Sequence, residues 1–306
     1  MLYLYAPDQR ETYLALLREA LPDWPIAVWP EVVDAASVTH VAAWAPPPQF
    51  FAPFVQLQTV FNLGAGIDGL LARDDLPASV DIVRLADAGM AAQMTEYALY
   101  GVLHWQREMD RYRAQQLEAR WSPGETRLRR SVRVGVLGLG ELGGRVARDL
   151  SGMGYPVRGW SRTARAIDGV SCFHGEAGLD RVLSETDVLF CVLPATPATR
   201  HLLGAAQLAR LPEGAAVINA GRGSLIDEAA LLARLDDGRL RFAMLDVFSE
   251  EPPPADHPFW RHPRVIMTPH VAADTVPGEA VRQIVARLGG GGDAMPSGRI
   301  DRLRGY

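Results

Sequence analysis

The sequence predicts an α/β protein made of two parallel-sheet units, and three observations carry that expectation. At 306 residues it exceeds the usual reach of one hydrophobic core. Short apolar runs alternate with amphipathic stretches from end to end. The strand-like runs of the second half are rich in Val, Ile and Leu without polar alternation, the pattern of strands buried on both faces.

Taken in order, Leu2–Ala6 reads as a strand and Glu11–Leu21 as a helix, with Leu14, Leu17 and Leu21 at helical spacing. Strand-like runs follow at Ile26–Trp29, His40–Trp44, Thr59–Leu63 and Ile82–Leu85. From Ala91 to Ala119 there is no proline and no glycine except Gly101, which predicts one or two long helices crossing between domains. A loop at Trp121–Glu125 precedes a stronger α/β series. Its expected strands are Val132–Leu137, Val157–Trp160, Val188–Leu193, Ala216–Asn219, Phe242–Val247 and Val265–Thr268. Helices are expected at Leu142–Leu150, Leu179–Ser184, Glu228–Leu235 and Gly278–Leu288, the last running into the glycine stretch Gly289–Gly292.

Composition narrows the function classes. A chain 48% hydrophobic and 22% charged is an ordinary globular one, which excludes a mostly disordered protein. A formal charge of −5 gives no reason to expect nucleic acid as a partner. Cys172 and Cys191 are too few for a disulfide framework or a four-ligand zinc site, and read as small apolar residues in or near strands. No closely spaced His, Cys and carboxylate cluster suggests a metal. Met1–Ala6 runs into Pro7 and Asp8 without the form of a signal peptide, and no uncharged run approaches the ~20 residues of a bilayer span. A cytoplasmic enzyme without a membrane partner is the expectation.

Chemistry enters at Gly138-Leu139-Gly140-Glu141-Leu142-Gly143, between an expected strand and an expected helix. The first glycine permits the turn, the second lets a pyrophosphate approach the backbone, and the third lets helix and strand pack closely. The helix N-terminus offers free N–H groups and the positive end of a dipole. This strand–turn–helix setting makes the glycines the fingerprint of a doubly wound Rossmann nucleotide domain. An NAD site usually places Asp or Glu about 20 residues further on. Here the next strand ends in Trp160-Ser161-Arg162-Thr163, with Arg165 close behind and no carboxylate. Ser161, Arg162 and Arg165 suit the extra 2′-phosphate of NADP, which arginine grips bidentately. The plainer reading is that both arginines are solvated surface charges.

Beyond the fingerprint, three motifs make the chain resemble the D-2-hydroxyacid dehydrogenase family: Asn219-Ala220-Gly221-Arg222-Gly223, Asp246-Val247-Phe248-Ser249-Glu250-Glu251-Pro252 and Thr268-Pro269-His270-Val271-Ala272. The likeness runs nearly the whole length, to the closing Ile300–Tyr306. Leu63–Asp68, Gly89–Met94 and Trp160–Arg162 bring it nearest the bacterial A-type glyoxylate/hydroxypyruvate reductases within that family. The resemblance implies a discontinuous layout, with residues 1–95 and 275–306 forming a smaller flavodoxin-like substrate domain around a nucleotide-binding domain at 96–274. It implies reduction of a small 2-oxo acid by NADPH, with NADH possible, and a homodimer built through the 91–119 helices and the Trp121 loop.

The same resemblance assigns the site. Arg222 would hold the substrate carboxylate and carbonyl oxygen, His270 would be the general acid, and Glu251 would hydrogen-bond the imidazole. The chemistry is sound on its own terms. Hydride arriving at a carbonyl carbon leaves alkoxide character on the oxygen, which needs a proton and a cation nearby. Histidine is suited to supply that proton, and a carboxylate beside it favours the charged ring. Taken singly, Arg222 also reads as a surface turn residue, His270 as a satisfied core histidine, and Glu250 as an alternative partner. Gly138, Gly140, Glu141, Leu142, Gly143, Leu193, Pro194, Thr199, Ala220 and Gly221 are carried over as cofactor residues, with Asp246 at the nicotinamide carboxamide. Gly64, Ala65 and Gly66 would offer backbone N–H groups to the substrate carboxylate, an exposed nest that glycines allow. Trp44 and Met90 would wall the pocket, although a tryptophan in an apolar strand is as often core. No basic side chain lies near Gly64–Asp68, which argues against a phosphorylated substrate. A longer 2-oxo acid, and a nucleotide-sensing protein without catalysis, are the alternatives to a glyoxylate or hydroxypyruvate reductase.

Overall fold

The structure is a computed structural model that describes residues 1–289; the expectations for the glycine stretch beyond Gly289 and for the closing segment at 290–306 lie outside the described residues. Contacts divide the chain into two units: Met1–Met90 with the segment from Asp274 onward, and Ala91–Ala273.

Unit one holds a five-stranded parallel sheet. Its strands are β1 (Leu2–Tyr5), β2 (Ile26–Val28), β3 (His40–Ala43), β4 (Thr59–Asn62) and β5 (Asp81–Arg84), in the order β2-β1-β3-β4-β5. This is the flavodoxin-like doubly wound order. Helix α1 (Arg10–Ala20) buries Tyr13 and Leu17, and a short α2 (Asp68–Leu71) follows β4. The C-terminal helix Pro277–Leu288 packs on α1 and buries Ala280, Val281 and Ile284. Its Gln283 is tied to the segment after β5 by two bonds: Nε2 donates to the Ala86 carbonyl at 2.7 Å, and Oε1 accepts the Ala86 N–H at 2.8 Å.

Unit two begins with α3 (Met90–Gln106) and α4 (Met109–Leu117). The periodic stretch is therefore two helices. The break falls at Glu108, which adopts a left-handed φ of 54°. That buried carboxylate accepts a hydrogen bond from Arg111 and forms an ion pair with Arg127, each at 2.8 Å. Burial raises its pKa, but the two guanidiniums outweigh that and hold it below the usual carboxylate range.

The unit's seven parallel strands are β6 (Val134–Leu137), β7 (Val157–Ser161), β8 (Ser171–His174), β9 (Val188–Cys191), β10 (Ala215–Asn219), β11 (Leu240–Leu245) and β12 (Val265–Met267). Their order is β12-β11-β10-β9-β6-β7-β8. The first six strands reproduce the Rossmann arrangement and β12 extends it. Helices α5 (Glu141–Gly152), α6 (Gly175–Ser184), α7 (Ala205–Leu208) and α8 (Glu228–Asp236) complete the unit. Alternate residues of each central strand enter different cores. Val188, Phe190, Ala216 and Ile218 pack with Val134 and Val136, while Leu189, Cys191, Val217 and Ala243 pack on the other face. Double-sided burial is the physical reason these strands read as continuous apolar runs. Cys191 is enclosed in one of these cores, and burial pushes its thiol well above the ordinary range. Cys172 lies half-buried in β8. Strand β8 was not expected from the sequence. Among the described residues it is an edge strand pairing with β7, and its Ser171 and His174 are exposed, so it lacks the apolar run.

Candidate active site

Within unit two the expected residues follow the C-terminal ends of parallel strands, the edge where open α/β sheets bind ligands. Strands β6 and β9 are neighbours at the point where the strand order reverses. After β6, Gly138 has φ +106°, and an added Cβ would sit 3.0 Å from the Val192 carbonyl oxygen after β9. A Cβ at Gly143 would overlap the Gly138 carbonyl oxygen, so the helix start can lie this close to the strand end only as glycine. Gly140 caps α5 without a side-chain bond, and nothing lies within 4 Å of where its Cβ would be. Glu141 and Leu142 open the helix. An uncapped helix N-terminus facing open space fits a dinucleotide pyrophosphate.

At the end of β7, Ser161 Oγ donates to the Thr163 carbonyl at 2.8 Å, while Arg162 and Arg165 are exposed in the same loop. Beyond β9, Leu193 is buried and Pro194 exposed. Thr199 knots that loop: its Oγ1 donates to the Pro194 carbonyl at 2.7 Å and accepts the Thr196 N–H at 2.9 Å. After β10, a Cβ on Gly221 would come within 2.8 Å of the Leu193 carbonyl oxygen, so the two loops touch backbone to backbone. The Ala220 N–H joins them further down, donating to the Cys191 carbonyl at 3.0 Å.

The Arg222 turn is braced by Asn219, the last residue of β10 and almost fully buried. Its Nδ2 donates to the Arg222 carbonyl at 2.9 Å and its Oδ1 accepts the Gly221 N–H at 3.1 Å. Arg222 is half-buried and donates from Nη1 to the Gly221 carbonyl at 2.7 Å.

His270 is exposed rather than part of the core, and its Nδ1 lies 2.8 Å from Glu251 Oε2. The partner carboxylate is therefore Glu251 and not Glu250. The other oxygen of Glu251 accepts the Phe248 N–H at 2.9 Å, which fixes the carboxylate at the head of the proline run. Glu228, at the start of α8, steadies the same loop by accepting the Ser249 N–H at 2.9 Å.

Asp246 is 1% exposed and organises the His270 loop. Its Oδ1 accepts from Thr268 Oγ1 at 2.6 Å and from the Val271 N–H at 2.8 Å, and its Oδ2 accepts the Ala272 N–H at 2.9 Å. Its main-chain carbonyl accepts the His270 N–H at 2.9 Å. His270 itself stands in the left-handed region at φ 56°. Tyr97 Oη lies 2.7 Å from Thr268 Oγ1, and burial pushes that phenol well above its ordinary range.

In unit one, Gly64, Ala65 and Gly66 follow β4, whose last residue, Asn62, is 2% exposed. Asn62 Nδ2 donates to the carbonyls of Gly64 at 2.6 Å and Gly66 at 2.9 Å. Trp44 follows β3, is 42% exposed rather than core, and lays its six-membered ring where a Gly64 Cβ would stand. Met90 is buried, and its sulfur accepts from Thr275 Oγ1 at 3.6 Å. Arg73 braces the Trp44 loop through the Pro46 and Pro47 carbonyls and pairs with Asp75, whose carboxyl it holds below the usual range.

Sequence reasoning missed Asn62, Tyr97 and Glu228 as parts of these arrangements, and quoted Asn219 and Thr268 without giving them work. A buried asparagine ending an apolar strand was the available signal for Asn62 and Asn219. Tyr97 carried none.

Residues 99–272 match the family model described as D-isomer specific 2-hydroxyacid dehydrogenase, NAD binding domain. The chain is 43% identical to a glyoxylate/hydroxypyruvate reductase A of Salmonella paratyphi B, over 95% of this chain and 94% of that one. It superposes on a D-isomer specific 2-hydroxyacid dehydrogenase of Xanthobacter autotrophicus in complex with NADPH and MES, with a TM-score of 0.93 and 40% identity. That match covers 100% of this chain and 99% of the other. An NADPH-dependent glyoxylate/hydroxypyruvate reductase from Sinorhizobium meliloti, in complex with NADP and sulfate, gives 0.92 at 33% identity and the same coverage.

Proposed function

This chain belongs to the D-isomer specific 2-hydroxyacid dehydrogenase family, and from that premise we propose that it is an NADPH-preferring reductase of glyoxylate and hydroxypyruvate, forming glycolate and glycerate. The observation that carries the reading furthest is the Glu251–His270 pair, 2.8 Å apart beyond the ends of β11 and β12. NADPH, when bound, supplies the hydride that reduces the carbonyl carbon. The Arg222 guanidinium binds the substrate carboxylate and offsets the negative charge growing on the carbonyl oxygen. His270 hands its proton to that oxygen, and the Glu251 carboxylate, 2.8 Å from Nδ1, orients the ring.

Unit two is the nucleotide-binding domain and unit one the substrate domain in this proposal. The uncapped α5 N-terminus receives the pyrophosphate, with Gly138, Gly140, Glu141, Leu142 and Gly143 around it. Arg162 and Arg165, with Ser161, favour the 2′-phosphate, while NADH is accepted less well. Leu193, Pro194, Thr199, Ala220, Gly221 and Asp246 flank the cofactor. Gly64–Gly66 offer N–H groups to the substrate carboxylate, and the Trp44 ring limits the substrate's side chain. Met90 contributes by holding the start of α3, since little of its surface is open.

The helical segment that ends unit one's first run and starts unit two exposes Tyr100, Met109 and Leu117, and Trp121 beyond it is 98% exposed. That apolar surface supports a homodimer, which light scattering of the purified chain tests. No helix among the described residues is long and apolar enough to cross a membrane. The cytoplasm, which holds the reduced nicotinamide pool, is the proposed compartment. Steady-state rates on a panel of short and long 2-oxo acids, with NADH and NADPH side by side, test the whole assignment. Equal rates with both cofactors, or a preference for long side chains, would overturn it.

A further inference from the structure

We propose that Tyr97 is a positioning residue for His270, acting through Thr268 and Asp246; the role rests on the reductase reading above. The direction of the bonds is fixed by counting protons. Thr268 has one hydroxyl proton, and Oδ1 of Asp246, which can only accept it, lies 2.6 Å away. The 2.7 Å contact between Tyr97 and Thr268 is therefore donated by the phenol. The chain runs from Tyr97 O–H to Thr268 O–H to the Asp246 carboxylate.

That carboxylate holds the N–H groups of Val271 and Ala272, while the Asp246 carbonyl holds the N–H of His270. Three consecutive backbone donors thus end on one residue. This matters because His270 occupies a left-handed conformation, which a non-glycine residue keeps only when its surroundings over-determine it. Among the links of this chain, Tyr97 alone comes from the interior of a long helix, the 17-residue α3, and 171 positions separate it from Thr268. It gives the loop a rigid reference. Without the phenol hydroxyl, the Thr268 hydroxyl can rotate away from Asp246, and the turn that presents the imidazole loosens.

The test is steady-state reduction of glyoxylate by NADPH with Tyr97→Phe, Thr268→Val and Thr268→Ser, alone and combined with His270→Gln. Losing one such bond is expected to lower kcat about five- to tenfold while leaving both KM values within about twofold of the parent. Thr268→Val should lose at least as much, Thr268→Ser should recover most of that loss, and adding Tyr97→Phe to Thr268→Val should change nothing further. In the His270→Gln background Tyr97→Phe should be silent. A parental kcat in Tyr97→Phe, or an equal loss with and without His270, overturns the proposal. Should Tyr97→Phe fold poorly, the Thr268 pair makes the same comparison. If the parent itself fails to reduce glyoxylate the reductase reading fails instead, and if His270→Gln keeps its turnover the assignment of the general acid fails. Amide exchange at Val271 and Ala272 then still decides the relay: faster exchange in Tyr97→Phe supports it, and unchanged exchange overturns it.

Discussion

Replacing Asn219 by alanine tests how the Arg222 turn is held. The side chain makes two bonds to the following loop, at 2.9 Å to the Arg222 carbonyl and 3.1 Å from the Gly221 N–H, in a site only 1% exposed. Truncation leaves a buried donor and acceptor without partners, at about 1–3 kcal/mol each when water cannot reach them. Gly221 is buried, so its N–H bears the full cost, whereas the carbonyl of half-buried Arg222 recovers part of its loss from solvent. The sum is about 2–4 kcal/mol. Denaturant unfolding followed by the unit two tryptophans should show a lower midpoint at an unchanged slope. Arg222 should also lose its register, so KM for glyoxylate should rise about tenfold, the equivalent of 1.4 kcal/mol. Asn219→Asp keeps the acceptor for Gly221 but sets a carboxylate oxygen against the Arg222 carbonyl, so it should not rescue KM. A variant Asn219→Ala with parental midpoint and parental KM would refute the reasoning.

Three further outcomes are expected. Arg162→Ala should raise KM for NADPH by about ten- to a hundredfold, the worth of a charge-assisted phosphate contact, and leave KM for NADH nearly unchanged, as measured by parallel titrations. His270→Gln should cut turnover by ~10²–10⁴ while NADPH fluorescence titrations give the parental affinity; retained turnover would remove the histidine from the chemistry. Glu251→Gln replaces the carboxylate that holds the imidazole at 2.8 Å, so kcat should fall about tenfold while both KM values stay near the parent's; a parental kcat would separate Glu251 from the proton transfer.

What was legible in the sequence was what the backbone itself encodes. Gly138 and Gly143 announce the fingerprint because only glycine meets their φ and packing demands. The central strands of unit two announce themselves because both faces are buried. Strand β8 was silent because an edge strand with exposed ends needs no such run. The break between α3 and α4 was silent because the carboxylate that stabilises it is held partly by Arg127, 19 residues on from Glu108. At the site, the charged members stood out through their motifs. The residues that aim them did not: Asn219 and Thr268 look like motif spacers, and Tyr97 meets a partner 171 positions further along the chain.

The return of the chain to unit one at Asp274 sets an order of birth. Residues 1–90 carry all five strands of that unit's sheet, yet the helix Pro277–Leu288 that covers α1, and the Gln283 amide that fastens the segment after β5, are made only after unit two. At ribosomal rates of about 5–20 residues per second, the interval between Met90 and Leu288 lasts roughly 10–40 s. Throughout that time the sheet of unit one waits with α1 uncovered, while unit two is contiguous from Ala91 to Ala273. Unit one's sheet is thus made before unit two and its helical cover after it, so a nascent chain stalled short of residue 277 would carry every strand of both sheets but lack the helix that packs on α1.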